Sequence, residues 1–343
     1  MWRASIKHWG AGHTRRASSR HARPADRPVN TEAPQPQGSR PPLVAVVGAT
    51  GTGKSALALD LIEALAASGR PAEVINADAM QLYRGMDIGT AKLPVRDRRG
   101  ITHHLLDVLE PAQDASVAEY QREARATVER LQANGVIPVL TGGSGLYVSS
   151  VIQDFAFPAR DHEVRARLEA DLERLGTAGL HARLACLDPA AAAQVDPANG
   201  RRVVRALEVV ELEGSFTPGL PEHRPPWQPA VVVGLRAARD VLVPRLDDRV
   251  RQMWADGLVA EVEALRPAGF GATAARAIGY SQAIAQLDGV MDESTAIAET
   301  SALTRRYARR QVSWFKRDQS TTWIEHDDPA RVSVALSVVV GGG

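Results

Sequence analysis

The residues best suited to chemistry begin at Gly48-Ala49-Thr50-Gly51-Thr52-Gly53-Lys54-Ser55, which satisfies the P-loop pattern in full. Its glycines allow backbone N–H groups to converge on phosphate oxygens. A helix that starts at the lysine turns the positive end of its dipole toward the same point. Lys54 adds a point charge, and the Ser55 hydroxyl can bind phosphate or Mg²⁺. The pattern implies a diphosphate or triphosphate ligand without implying ATP. A phosphoryl-transfer enzyme of this type needs an acidic Mg²⁺ ligand at the end of a second apolar strand. The apolar run Val136 to Leu140 ends instead in Thr141-Gly142-Gly143-Ser144, which offers hydroxyls and backbone but no carboxylate. Asp78 and Asp107 follow other strand-like runs and are the candidate substitutes.

Such a loop has to be carried between a strand and a helix, and the flanking sequence provides both. Leu43 to Val47 is a short apolar run that reads as a buried parallel strand, and Lys54 to Ala67 places Leu57, Leu61 and Leu65 on one helical stripe. Further strands are expected at 73–77, 104–108 and 135–140, with a helix at 115–133. This alternation predicts an α/β fold, a doubly wound parallel sheet of the P-loop NTPase kind. After Pro158 three helices, 161–175, 178–187 and 199–212, follow without a strand, predicting a helical insertion domain over 161–228. The core then spans 41–160 and 229–343. A strand at 231–235, helices at 240–254 and 293–316 and a last strand at 322–325 complete it as a set of C-terminal helices around the sheet edge.

Composition narrows the setting. A net charge of +1 predicts no partner from the whole-molecule balance, so affinity for a polyanion must come from where the charges sit. The single cysteine, Cys186, excludes an internal disulfide and a cysteine zinc cluster and reads as a small buried hydrophobe. No apolar run approaches the length of a membrane span, and the chain reads as cytoplasmic, with no membrane or obligate protein partner and a monomeric state expected. Residues 1–40 are rich in arginine and proline and read as a disordered basic extension.

The segment Asn76 to Lys92, with His103-His104 and Asp107, and with Gly142 to Tyr147, closely resembles the tRNA dimethylallyltransferases. The resemblance continues through Arg201 to Glu208, Arg249 to Met253, Ile278-Gly279-Tyr280 and Arg309 to Lys316, covering nearly everything from Leu43 to Glu325. It implies transfer of a dimethylallyl group from dimethylallyl diphosphate to N6 of the adenosine 3′ of the tRNA anticodon, position 37, with Mg²⁺ as cofactor and Ser55 as its protein ligand. Asp78 occupies the family's base position, and Lys54, Arg249 and Ser144 complete the implied catalytic set. Ser144 stands where the family usually has threonine, and Ala79 replaces a common serine. Implied tRNA contacts are Asp78, Ala79, Met80, Gln81, Ser144, Arg165, Arg201, Arg202, Arg205, Arg276, Gly279, Tyr280, Arg309, Arg310, Gln311 and Trp314.

Charge patterning gives an independent reason to look for RNA. Arg305, Arg306, Arg309, Arg310, Lys316 and Arg317 crowd one predicted helix with no acidic residue between Ser301 and Arg317, and residues four apart share a face. Tyr83 and Tyr280 can either stack on bases or fill core. Three other functions compete: a small-molecule kinase using ATP, prenylation of free adenine nucleotides, and RNA binding without catalysis. The kinase explains the phosphate loop but neither the basic helix nor the segment 76–92. The basic clusters and the insertion count against a free nucleotide as acceptor, and the retained Lys54, Asp78 and Arg249 count against mere binding.

Overall fold

The structure, a computed structural model, describes residues 40–219 and 225–341. The basic extension expected over residues 1–40 lies outside them, Arg40 excepted. Strands β1 (Leu43–Gly48), β2 (Ala72–Asn76), β3 (His103–His104), β4 (Ile137–Gly142), β5 (Ala230–Arg236) and β6 (Thr322–Glu325) form one sheet in the order β3-β2-β4-β1-β5-β6. Every pairing in it is parallel. The central β1 is buried on both faces, which is why its sequence is a continuous apolar run rather than an alternating one. Leu43, Ala45 and Val47 face α2 (Val117–Ala133) and α3 (Gly145–Ile152), while Val44 and Val46 face α1 (Lys54–Ala67) and α11 (Arg331–Gly341). Leu57, Leu61 and Leu65 of α1 are fully buried, each contributing about 2 kcal/mol.

Two further apolar clusters lie off the sheet. Helices α4 (His162–Leu187), α5 (Pro189–Gln194) and α6 (Gly200–Glu213) pack around Leu168, Leu180, Leu184, Val203 and Leu207. The chain reaches this unit through Pro158 and returns beside its own exit, where Trp227 N–H donates to the Ile152 carbonyl. Helices α7 (Arg239–Ala255), α8 (Leu258–Leu265), α9 (Tyr280–Leu287) and α10 (Glu293–Phe315) supply the other cluster, which also takes Tyr83 and Met86 from the segment after β2. That segment is pinned by polar contacts. The buried Lys92 Nζ donates to the Tyr83 carbonyl, to Asp87 Oδ1 at 2.7 Å and to Asp107 Oδ1 at 2.6 Å, and Glu261 accepts the N–H groups of Asp87 and Ile88.

Several expectations need correction. The third strand stops at His104 rather than running to Val108, because Leu105 and Asp107 adopt left-handed backbone at φ 59° and 56° and leave the ladder. The helices expected at 161–175 and 178–187 run on as α4, broken only at Gly176 (φ 69°, ψ 171°). Cys186 is exposed, not buried. Helices α3, α5, α8, α9 and α11 went unforeseen; they have six to eleven residues, too few turns for an apolar stripe to repeat.

Gly142 closes β4 against β2 so tightly that a Cβ there would lie 2.2 Å from the Ala77 carbonyl oxygen. Gly142→Ala should therefore lower the unfolding free energy by about 2 kcal/mol or more. Urea titration checks this, and an unchanged midpoint would mean that the end of β2 yields without cost.

Candidate active site

The phosphate loop leaves the carboxyl end of the central strand, where open α/β sheets collect ligands. Gly48 has φ 144°, and a Cβ there would stand 2.4 Å from the Leu235 carbonyl oxygen on the neighbouring strand. Gly51 and Gly53 have φ 83° and 90°, the left-handed region that glycine enters without penalty. The loop is also held from outside. Thr50 N–H donates to Gln311 Oε1 of α10 at 2.9 Å, and Arg249 of α7 donates to Thr50 Oγ1 at 3.1 Å. Gln311 Nε2 in turn donates to the Gly143 carbonyl at 2.8 Å, tying the loop to the end of β4. Thr52 Oγ1 and Lys54 Nζ both donate to the Ala49 carbonyl, closing the loop on itself.

Asp78 enters from the end of β2. Its N–H donates to Asn76 Oδ1 at 3.0 Å, and its carboxylate accepts the Met80 N–H at 3.0 Å, capping a short 3-10 turn over Ala79–Leu82. The preceding N–H of that turn, on Ala79, donates to Ser144 Oγ at 3.2 Å. Ala79 thus reaches Ser144 through its backbone, and the serine hydroxyl it lacks is not needed for this contact. Tyr307 Oη of α10 lies 3.3 Å from the same Ser144 oxygen. Asp78, Lys54, Ser55, Arg249, Gly51 and Gly53 line one cavity of about 320 Å³.

Burial shapes the charges of this cavity. It pushes the Asp78 carboxyl above its usual range, an effect opposed by the Met80 N–H, Lys54 and Arg249. It pulls Lys54 down to about 8, with Asp78 opposing and Arg249 assisting. It also lowers Arg249, again against Asp78. The arrangement can therefore bind a polyanion beside a carboxylate that takes up a proton readily. Ser55 shares the cavity with Thr141, whose buried Oγ1 has no hydrogen-bond partner.

The remaining expected site residues are distributed unevenly. Gln81 lines the cavity, its Nε2 donating to the Thr90 carbonyl, and Met80 packs beside Tyr83. Tyr280, expected to touch RNA, is fully buried and donates its hydroxyl to Glu261; this corrects the expectation, because the ring fills the cluster between α8 and α9. Gly279 is likewise buried, its N–H donating to Gln282 Oε1, and Tyr83 is core. Gln311 is only 4% exposed, so its amide is committed to the loop rather than open to RNA. Trp314 lies over Gly145 and donates to Ser149 Oγ. Asp107 is held by Lys92, outside the cavity, and supplies no metal ligand there.

Arg165 and Arg205 both pair at 2.7 Å with Glu208, a carboxylate buried in the helical unit, and Arg205 also donates to the Pro158 and Ala159 carbonyls. Arg201, Arg202 and Arg276 are exposed. Arg201 is held below its ordinary value by partial burial and then by the charges of Arg276 and Arg165, with Asp114 and Glu169 opposing, so charges of both signs from separate elements lie near it. On α10 the expected uniform basic face is divided. Arg305 is neutralised by Asp247 of α7, a partner invisible along the helix itself, whereas Arg309 and Arg310 stay exposed. Sequence reasoning missed Tyr307. Its only signal was position, one helical turn before Gln311 and so on the same face.

Comparison with known proteins identifies the family. The family model described as IPP transferase matches residues 81–318. A tRNA dimethylallyltransferase of Clavibacter sepedonicus is 55% identical over 300 residues, spanning 87% of this chain and 98% of its own. One of Thermobifida fusca is 53% identical over 300 residues, spanning 87% of this chain and 94% of its own. Among solved structures, the tRNA isopentenylpyrophosphate transferase of Bacillus halodurans superposes with a TM-score of 0.64 at 36% identity, over 88% of this chain and 96% of its own. A strand-borne phosphate loop facing a carboxylate, with relatives this similar along nearly their whole length, makes the chain a member of the IPP transferase family, alongside the tRNA dimethylallyltransferases.

Proposed function

We propose that the protein transfers a dimethylallyl group from dimethylallyl diphosphate to N6 of the adenosine 3′ of a tRNA anticodon, with Asp78 as the base. The observation that carries this reading is the shared cavity, which Lys54, Arg249 and the Asp78 carboxylate line together. The diphosphate lies against the loop amides, Lys54 and Arg249. The adenosine N6 attacks the allylic C1 and forms the N–C bond. The C1–O bond breaks, and its electron pair leaves on the diphosphate. Asp78 takes the proton that N6 loses, which matters because an aromatic exocyclic amine is a poor nucleophile. Charge grows on the departing diphosphate, where two cations already sit in partly dry surroundings.

Mg²⁺ fits the same place. It prefers phosphate oxygens, water and few protein ligands, and Ser55 stands there beside the unpartnered Thr141 hydroxyl. Among the described residues no cluster of three or more His, Cys, Asp or Glu forms a rival metal site. When bound, Mg²⁺ would supply further charge neutralisation at the diphosphate. Use of ATP as a phosphoryl donor is disfavoured, because β4 ends in Thr141-Gly142 with no carboxylate and Asp107 is turned to Lys92. The exposed Arg201, Arg202 and Arg276, together with Arg309 and Arg310, suit an RNA backbone better than a free nucleotide. Among the described residues no helix is long and apolar enough to cross a membrane, in keeping with a cytoplasmic enzyme.

Asp78→Ala should reduce transfer at least a hundredfold, the ordinary value of a general base, with little change in tRNA affinity. Mass analysis of nucleosides after incubation with unmodified tRNA and dimethylallyl diphosphate reads this, and near-normal turnover would remove the base assignment. The pH profile of kcat/KM should be bell-shaped. Activity is lost on the acid side as the raised Asp78 carboxyl takes up a proton, and on the alkaline side as Lys54 loses its charge near pH 8. Lys54→Arg should move the alkaline limb to higher pH; a limb that stays in place belongs to another group. Arg201→Ala with Arg276→Ala should weaken tRNA binding and reduce its salt slope by about one to two; an unchanged slope would separate these residues from the RNA.

A further inference from the structure

The N-terminus of α3 carries an anomaly. Ser144 is its N-cap residue, yet its side chain makes no capping bond to that helix. A serine in this position ordinarily accepts an N–H from the first turn of its own helix. Here the oxygen is turned away to accept the N–H of Ala79 at 3.2 Å. A hydroxyl has one proton and two lone pairs, so this contact leaves its proton and one lone pair to be used. The group that meets it is Tyr307 Oη at 3.3 Å.

We propose that Tyr307 is a positioning residue for the transfer reaction: its phenol diverts the Ser144 hydroxyl from the helix it would otherwise cap and holds it on the turn that begins at Asp78. The inference rests on Asp78 being the base. The Ala79–Leu82 turn has two leading N–H groups. One is held by the Asp78 carboxylate and the other by Ser144, so the orientation of the carboxylate and that of the serine are set by the same turn. Tyr307 is mostly buried, and the Asp78 charge helps to hold its phenol proton up to about 12, so the hydroxyl keeps its proton throughout the working range. One turn further along α10, Gln311 holds the phosphate loop through the Thr50 N–H. A single helix therefore fixes both halves of the reaction, the base through Tyr307 and the diphosphate cradle through Gln311. The exposed Arg310 guanidinium lies 5.8 Å from the Tyr307 ring centroid, joining this support to the outward face of the helix.

A merely structural tyrosine and this one give different results on removal of the hydroxyl. Tyr307→Phe keeps the ring, and Ser144 is then free to return to its own helix terminus. Thermal stability should be unchanged or slightly raised, while kcat falls about tenfold or more and KM for both substrates stays within about twofold. Ser144→Ala should show the same loss, and the double variant should be no worse than either single one. Normal kcat in Tyr307→Phe, or losses that multiply in the double variant, would overturn the inference. Asp78→Ala in the same assay separates the two levels. If it turns over normally, the base assignment falls and this inference with it; if it is inert while Tyr307→Phe is normal, this inference alone falls.

Discussion

Two cations and a carboxylate are kept together in one partly buried cavity, and each offsets part of the cost of burying the others. Burial lowers Lys54 and raises Asp78, and their mutual attraction opposes both shifts. With Arg249 added, the ionised trio carries two positive charges against one negative, so the cavity is left short of an anion. The diphosphate of the proposed donor would complete it. The same imbalance suits the reaction, because the negative charge that develops on the leaving group arrives where the excess positive charge already is.

Holding that trio requires three elements far apart in the chain. Lys54 starts the helix after the central strand, Asp78 follows the second strand, and Arg249 projects from a helix of the C-terminal part. The parallel sheet brings the first two together at the carboxyl ends of β1 and β2, with β4 between them. Helices α7 and α10 then close over the loop, and do so through polar ties. Arg249 to Thr50 and Gln311 to both Thr50 and Gly143 leave the cradle little room to move. Glycine is required where these parts meet. At Gly48, Gly142, Gly143 and Gly145 a Cβ would fall within 2.4 Å of a neighbouring atom, so close approach, as much as backbone freedom, demands the missing side chain.

The basic surface teaches the opposite lesson about reading charge from sequence. Along α10 the arginines form an unbroken row, but α7 places Asp247 against Arg305 and removes it from the set. In the helical unit Glu208 takes up Arg165 and Arg205, turning part of a basic cluster into a strut that grips the Pro158 and Ala159 carbonyls. Tyr280 was open to two readings, since an aromatic ring serves a core and a stacking platform equally well. Its burial against α8 decided for the core.

Local order in the chain determined what depends on neighbours in sequence. The glycine-lysine loop, the apolar runs of β1 and β4 and the long helices α1, α2, α6, α7 and α10 could all be read from it, because backbone freedom and side-chain period are properties of a few successive residues. The presence of Lys54, Asp78, Arg249 and Ser144 as a candidate set was legible too, through motifs in a given order. Only the tertiary structure decided which charges survive unpaired, that β3 stops at His104, that Gln311 is a tie, and that Ser144 forsakes its own helix for Ala79 and Tyr307. Most of these turn on a distant partner: Asp247 for Arg305, Thr50 and Gly143 for Gln311, Ala79 and Tyr307 for Ser144. Whether an N–H, a carboxylate or a hydroxyl finds such a partner is set by packing in three dimensions, and no stretch of sequence carries that information by itself.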